Sequence, residues 1–271
     1  MRWRIMKAIL DSAVRISMMV CLLVVFHFSG VVGLASEIPP SSGIWHSHMP
    51  RRTFPAETHD KLVKSLRRIT GFGNLEFTTA GELVLGEEQE PSNGSDLARQ
   101  LLRAIMSTGD AFILEDHSRS PDVRFGQLDE GTRYVNVETG QRTMIWTVRI
   151  DPDDFRGLEA SPAVRASFDE GFTVFHELLH GFGYDDALRA GDVGECESLL
   201  NEVRSELGLP TRAEYFGTYF AITPVIGTVR LRFERPVRGA KSSRRRDDYL
   251  FFTMAPTQLA ESLAPCRTRQ Q

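Results

Sequence analysis

Apolar residues recur at helical spacing in two early stretches. Within 59–69, Leu62, Val63, Leu66 and Ile69 share one helix face, and Gly71 and Gly73 follow as a stop. The same period carries Leu97, Leu101, Leu102 and Ile105 along a helix over 96–106, capped by Ser95 or Asp96. Between them, 75–85 reads as strand with a turn at Gly81, and 87–95 as a polar loop. Residues 111–114 form a short apolar strand. A hairpin follows: 134–137, a turn at Glu138-Thr139-Gly140, then 143–150, where Met144, Trp146, Val148 and Ile150 alternate with more polar neighbours. Such alternation puts one face of the strand on a core, and the strand is expected to border a cleft.

Ser161-Pro162 is a helix start, with serine as cap and proline in the first turn, and the pattern predicts one helix running on to His180. Phe168, Phe172, Phe175 and Leu179 recur at spacings of 4, 3 and 4, a stripe that should face the core. Asp169, Thr173, His176 and His180 form the neighbouring stripe. Gly181 and Gly183 end the helix. A second helix bearing Glu195, Glu197 and Glu202 comes next. Strands at 228–233 and 249–253 are joined by a loop with Arg235, Arg238, Lys241, Arg244, Arg245 and Arg246, read as solvated. Met254 before Ala255-Pro256 reads as core packing or as a Met-turn. Strands and helices in this order predict an α+β fold, a twisted mixed sheet carrying an active-site helix and a second supporting helix.

Composition sets the compartment. Arg2, Arg4, Lys7 and Arg15 precede an apolar run over 16–35 that ends in Gly33-Leu34-Ala35, the pattern of a cleaved signal peptide over 1–35. The alternative is an uncleaved membrane anchor, since about 20 apolar residues span a bilayer. Residues 36–56, with Pro39, Pro40, Pro50 and Pro55, read as a linker in which His46 and His48 are solvated. Residues 57–271 are then one domain. Overall the chain is 41% hydrophobic and 25% charged, ordinary globular composition. Without residues 1–35, 28 cations face 35 anions, a mildly acidic body that argues against nucleic acid as a partner. Cys196 and Cys266 remain, either as a disulfide or as two separate thiols.

The chemistry gathers at His176-Glu177-Leu178-Leu179-His180. Histidines at i and i+4 lie one above the other on a helix, so two imidazoles can reach one tetrahedral zinc ion. Glu177 points aside, free to act as the base that takes a proton from a water attacking a carbonyl. Reading on gives His-Glu-x-x-His-x-x-Gly-x-x-Asp, with Gly183 and Asp186 where a metzincin carries its turn glycine and last ligand. A carboxylate oxygen is an acceptable zinc ligand, and aspartate there resembles the snapalysin-type variant. Glu195, Glu197 and Glu202 compete for that role. Arg204, Arg212, Tyr184 and Tyr215 could polarise a substrate carbonyl or serve as structural hydrogen-bond donors.

The segment Asn201-Glu202-Val203-Arg204-Ser205-Glu206-Leu207-Gly208-Leu209-Pro210-Thr211-Arg212-Ala213-Glu214-Tyr215 resembles the Asn-x-x-Arg-x-Glu-x-Gly-Leu-Pro-x-Arg-x-x-Tyr stretch after the zinc helix of effector-type peptidases, the bacterial type III effectors and toxin domains. The likeness spans about residues 95–215. It implies a zincin fold, peptide hydrolysis and a glutamate ligand from the second helix, for which Glu197 matches best in helical phase. Asp186 is the preferred third ligand and Glu197 the alternative. The expectation is an exported zinc peptidase acting on proteins or peptides, touching membrane only if its N-terminal segment stays uncleaved. The alternatives are a non-catalytic exported binding module on a degenerate peptidase fold and a zinc amidase acting on cell-wall material.

Overall fold

A computed structural model of the protein describes residues 42–86, 91–118, 120–136, 139–223, 226–236 and 245–254. The expected signal segment, Cys266, and the Arg238, Lys241 and Arg244 portion of the cationic loop lie outside them. So do Ala255 and Pro256, which follow Met254 at the end of the last strand. No helix among the described residues is long and apolar enough to cross a membrane.

The fold is α+β, with five α-helices and two five-stranded sheets among the described residues. In the first sheet, β1 (Gly43–His46) and β4 (Ala111–Asp116) run parallel, and β4 runs parallel to β7 (Arg142–Ile150). Along the far side of β7 lie β5 (Gly126–Leu128) and β6 (Thr132–Val135), both antiparallel to it. A small hairpin, β2 (Leu75–Phe77) and β3 (Leu83–Leu85), sits apart.

Two sequence expectations change here. The supposed linker contains β1, whose Ile44 is fully buried, and Phe54 is buried too. A four-residue strand defined by pairing with residues 68 positions further on has no local signature, and the prolines on either side of it mask it. The strand at 143–150 alternates as expected, with Trp146, Val148 and Ile150 inward, but it is interior. The edge belongs to β6, the first strand of the expected hairpin displaced by two residues, and to β5, which is too short and polar to read as a strand alone.

Helices α1 (Ala56–Thr70) and α2 (Asp96–Met106) bury the predicted faces, including Leu62, Leu66, Ile69, Leu102 and Ile105. The long helix predicted from Ser161 to His180 is two helices, α3 (Pro162–Ser167) and α4 (Glu170–Gly181). Asp169 is the reason: its carboxylate accepts the N–H of Phe172 at 3.2 Å and also takes Ser65 Oγ and Arg68 Nη2, so it starts a new helix. The break divides the aromatic stripe. Phe172, Phe175 and Leu179 enter the main core with the first sheet, α1, α2 and α5 (Gly194–Glu206). Phe168 turns into a second core with Phe125, Leu158, Val164, Val229, Leu231, Phe233, Leu250 and Phe252.

That second core lies on the other sheet, in order β10 (Thr218–Thr223), β11 (Ile226–Pro236), β12 (Arg245–Met254) and β8 (Glu159–Ala160), with β9 (Thr211–Arg212) also on β11. Every pairing is antiparallel. Inward residues alternate along β11 as Val229, Leu231 and Phe233.

Candidate metal centre

His176 and His180 stand one turn apart on α4, buried and partly buried, their ring centroids 4.8 Å apart and nearly perpendicular. Their Nε2 atoms face each other at 3.2 Å. His180 Nδ1 lies 2.9 Å from the carbonyl oxygen of Tyr184; a proton there leaves the Nε2 lone pair toward His176. After the helix, Gly183 adopts a left-handed φ of 87° and the chain doubles back. Asp186 then forms a β-bridge with Gly194, whose own positive φ and absent side chain let the two backbones touch at the start of α5.

This return puts Asp186 Oδ1 3.1 Å from His176 Nε2 and Oδ2 3.4 Å from His180 Nε2. Tyr215 holds the same carboxylate, its hydroxyl donating to Oδ2 at 2.7 Å while its ring stacks near the plane of His176. The fold thus brings together His176, His180 and Asp186, with Glu177 buried beside them.

Glu197 sits one layer out. Its Oε1 is 3.5 Å from His176 Nδ1, on the opposite side of the ring from Asp186. Its oxygens are claimed by two arginines, Arg204 Nη1 at 2.6 Å and Arg212 Nη1 at 3.1 Å. Arg204 is almost wholly buried, also donating to Ser167 O and Asn201 Oδ1 and lying over the ring of Phe172. Asn201 ties the network to β9, accepting from Arg212 N and donating to Arg212 O. Glu195 and Glu202 are exposed, Glu195 accepting the N–H of Asp185. The Asn-Arg-Arg-Tyr positions of the 201–215 segment therefore meet around the back of the histidines. Tyr184 contributes its backbone carbonyl.

Sequence reasoning did not place Cys196 here. It is a free, buried thiol whose Sγ lies 3.4 Å from Tyr184 O and 3.6 Å from His180 Nδ1, and it joins His176, His180 and Asp186 in a cluster whose ligand atoms all lie within 4.8 Å of one another. Its expected partner Cys266 lies outside the described residues. Burial, reinforced by Asp186, Glu177, Glu197 and Asp185, pushes the thiol far up in pKa. Its place in the first turn of the second helix, the turn that also carries Glu197, is the available signal.

Charge in the pocket is out of balance. Burial alone would depress His176, but its contacts with Asp186 and Glu197 win and push it up to about 10. Burial likewise opposes ionisation of Asp186 and Glu197, yet the histidines hold Asp186, and Arg204 and Arg212 hold Glu197, well below the carboxylate range. Glu177 goes the other way: desolvation raises it against the pull of both histidines. Glu197 has its counter-charges in Arg204 and Arg212, but Asp186 and Glu177 face only the two imidazoles, which when neutral leave a demand for positive charge between them.

A divalent ion fits that demand. Asp186 Oδ1 is buried without a formed hydrogen bond, and its carboxylate faces two imidazole nitrogens that cannot both keep a proton against each other. Nitrogen, nitrogen and carboxylate oxygen is a catalytic zinc donor set, three protein ligands with one position left open. His176 Nδ1 lies 3.5 Å from Glu197 Oε1 without a formed hydrogen bond, on the side where ligating histidines usually have a carboxylate.

No family model, curated protein or solved structure matches the chain.

Proposed function

We propose that the protein is a zinc-dependent peptidase of the zincin type, exported by its N-terminal segment, with His176, His180 and Asp186 as metal ligands and Glu177 as general base. The observation that carries this reading is the convergence of His176 Nε2, His180 Nε2 and the Asp186 carboxylate, the two nitrogens 3.2 Å apart, Oδ1 3.1 Å from His176 Nε2 and Oδ2 3.4 Å from His180 Nε2.

When bound, the ion supplies Lewis acidity that polarises a carbonyl and acidifies water. The remaining steps belong to the chain. Glu177, next to His176 but directed away from Glu197's network, accepts the proton of the attacking water as its oxygen bonds to the carbonyl carbon. It then delivers that proton to the departing amine nitrogen as the C–N bond breaks. Desolvation strengthens Glu177 as a base by raising its affinity for the proton. Tyr215 and Glu197 hold Asp186 and His176 in place from behind. The outer side of β5 and β6, unpaired with another strand among the described residues, can receive an extended peptide by strand addition.

The test is hydrolysis of a peptide library by purified protein and by Glu177→Gln. Loss of turnover in the variant with zinc retained supports the mechanism; turnover that survives in Glu177→Gln overturns it. A folded wild type that binds no metal points to a binding module, and cleavage only of non-peptide amides to the cell-wall amidase.

A further inference from the structure

We infer that Gly126 and Thr173 are positioning residues for Glu177, so that strand β5, and not α4 alone, fixes where the base sits; this rests on the peptidase reading above. A methyl carbon built on Gly126 falls 2.5 Å from Thr173 Cγ2, 3.0 Å from Glu177 Oε1 and 3.1 Å from Glu177 Cγ. The first of these is shorter than real Cβ contacts and the two to Glu177 would force its side chain to give by a few tenths of an ångström, so the strand lies on the helix with no room for a side chain. Gly126 has no positive φ, so space rather than backbone conformation requires the glycine. Thr173 and Glu177 are four apart on α4 and therefore share the face that β5 covers. Leu128, at the other end of β5, directs its N–H at the Glu177 carboxylate.

The strand is held there from outside the main core. Phe125, directly before Gly126, has φ of 62°, a conformation uncommon for an aromatic residue. Its N–H donates to Asp154 Oδ2 at 2.8 Å and its carbonyl accepts from Asp151 N at 3.0 Å. Its ring meets Phe155, Phe168 and Phe252 at 4.9–5.2 Å between centroids. The second core thus anchors the turn that presses β5 against α4. A glutamate has three side-chain torsions, and clamping them keeps the carboxylate in one reactive place.

Gly126→Ala, Thr173→Ser and the double variant test this on the full chain, with zinc content measured beside kcat and KM. Gly126→Ala is expected to lose about 100-fold in kcat, with KM and zinc content unchanged, because a shift of about 1 Å in a catalytic group has that effect. Thr173→Ser removes the methyl in the shortest contact, so the double variant should recover much of the lost kcat. If Gly126→Ala does not fold, Thr173→Ala, which loosens the clamp without crowding it, should lower kcat at constant KM. Wild-type kcat in Gly126→Ala, or in Thr173→Ala where that is the variant read, overturns the inference while leaving the peptidase reading intact. A zinc-loaded wild type that hydrolyses nothing overturns both.

Discussion

At Glu197 and Asp186 two acids of the same type have opposite surroundings. Glu197 is the counter-charge of a buried arginine, so Glu197→Ala strands Arg204 and should cost about 3–5 kcal/mol of stability. Asp186→Ala should leave the fold largely intact and remove zinc. Thermal denaturation and metal content of the two variants, measured side by side, check the assignment; a stable, zinc-free Glu197→Ala would reverse it. Tyr215→Phe deletes only the hydroxyl on Asp186 Oδ2, and zinc affinity is expected to fall about 10–100-fold, read by competition with a chelating dye. The two histidines were legible in the sequence because helix geometry stacks i on i+4. Asp186 was legible only as a spacing, Gly183 and then Asp186 three residues on; the reversal at Gly183 realises it, while the bridge to Gly194 that completes the return has no local signature. Phase alone also left Glu197 eligible, since it does face His176; only the two arginines on its oxygens show what it is engaged with.

Among the elements, the break between α3 and α4 matters most for the site. Asp169 gives α4 a start of its own, which sets the rotation of His176 and His180 independently of α3. Asp169→Ala removes the cap together with its contacts to Ser65 and Arg68 and should lower stability by about 1–2 kcal/mol in urea unfolding. The periodic pattern ran straight through this break because Phe168 keeps the 3.6 spacing while serving a different core. The β1–α1 corner makes a second prediction. His46, His48 and His59 pack with Phe77, rings 4.5–5.4 Å apart. Burial, then the neighbouring histidines, lowers His46 from its ordinary 6.5, though Ser47 O partly opposes this. A folded-state value below the unfolded one means a contribution present above pH 6.5 and lost as pH falls beneath it. Stability should therefore decline from pH 7 toward pH 5, and His46→Gln should flatten that decline; a parallel decline in the variant would assign it elsewhere.

Over the whole molecule, the helix that carries His176 and His180 stands between two cores. Helical faces and the alternating strand announced the first; the second is assembled from β8, β11, β12 and single aromatics such as Phe125 and Phe168, distant in sequence and without a shared local pattern. The α+β class could be read from element order, but strand neighbours such as β1 beside β4, or β5 outside β7, depend on pairings no local rule supplies. A protein organised around an internal cation should resist unfolding less without it, and chelation should lower the melting temperature of the zinc-loaded chain. The most direct measurement is zinc per chain in the purified protein, by plasma mass spectrometry, beside His180→Ala. The account predicts about one ion in the wild type and almost none in the variant. A folded wild type without zinc, or a variant that keeps its full complement, would contradict it.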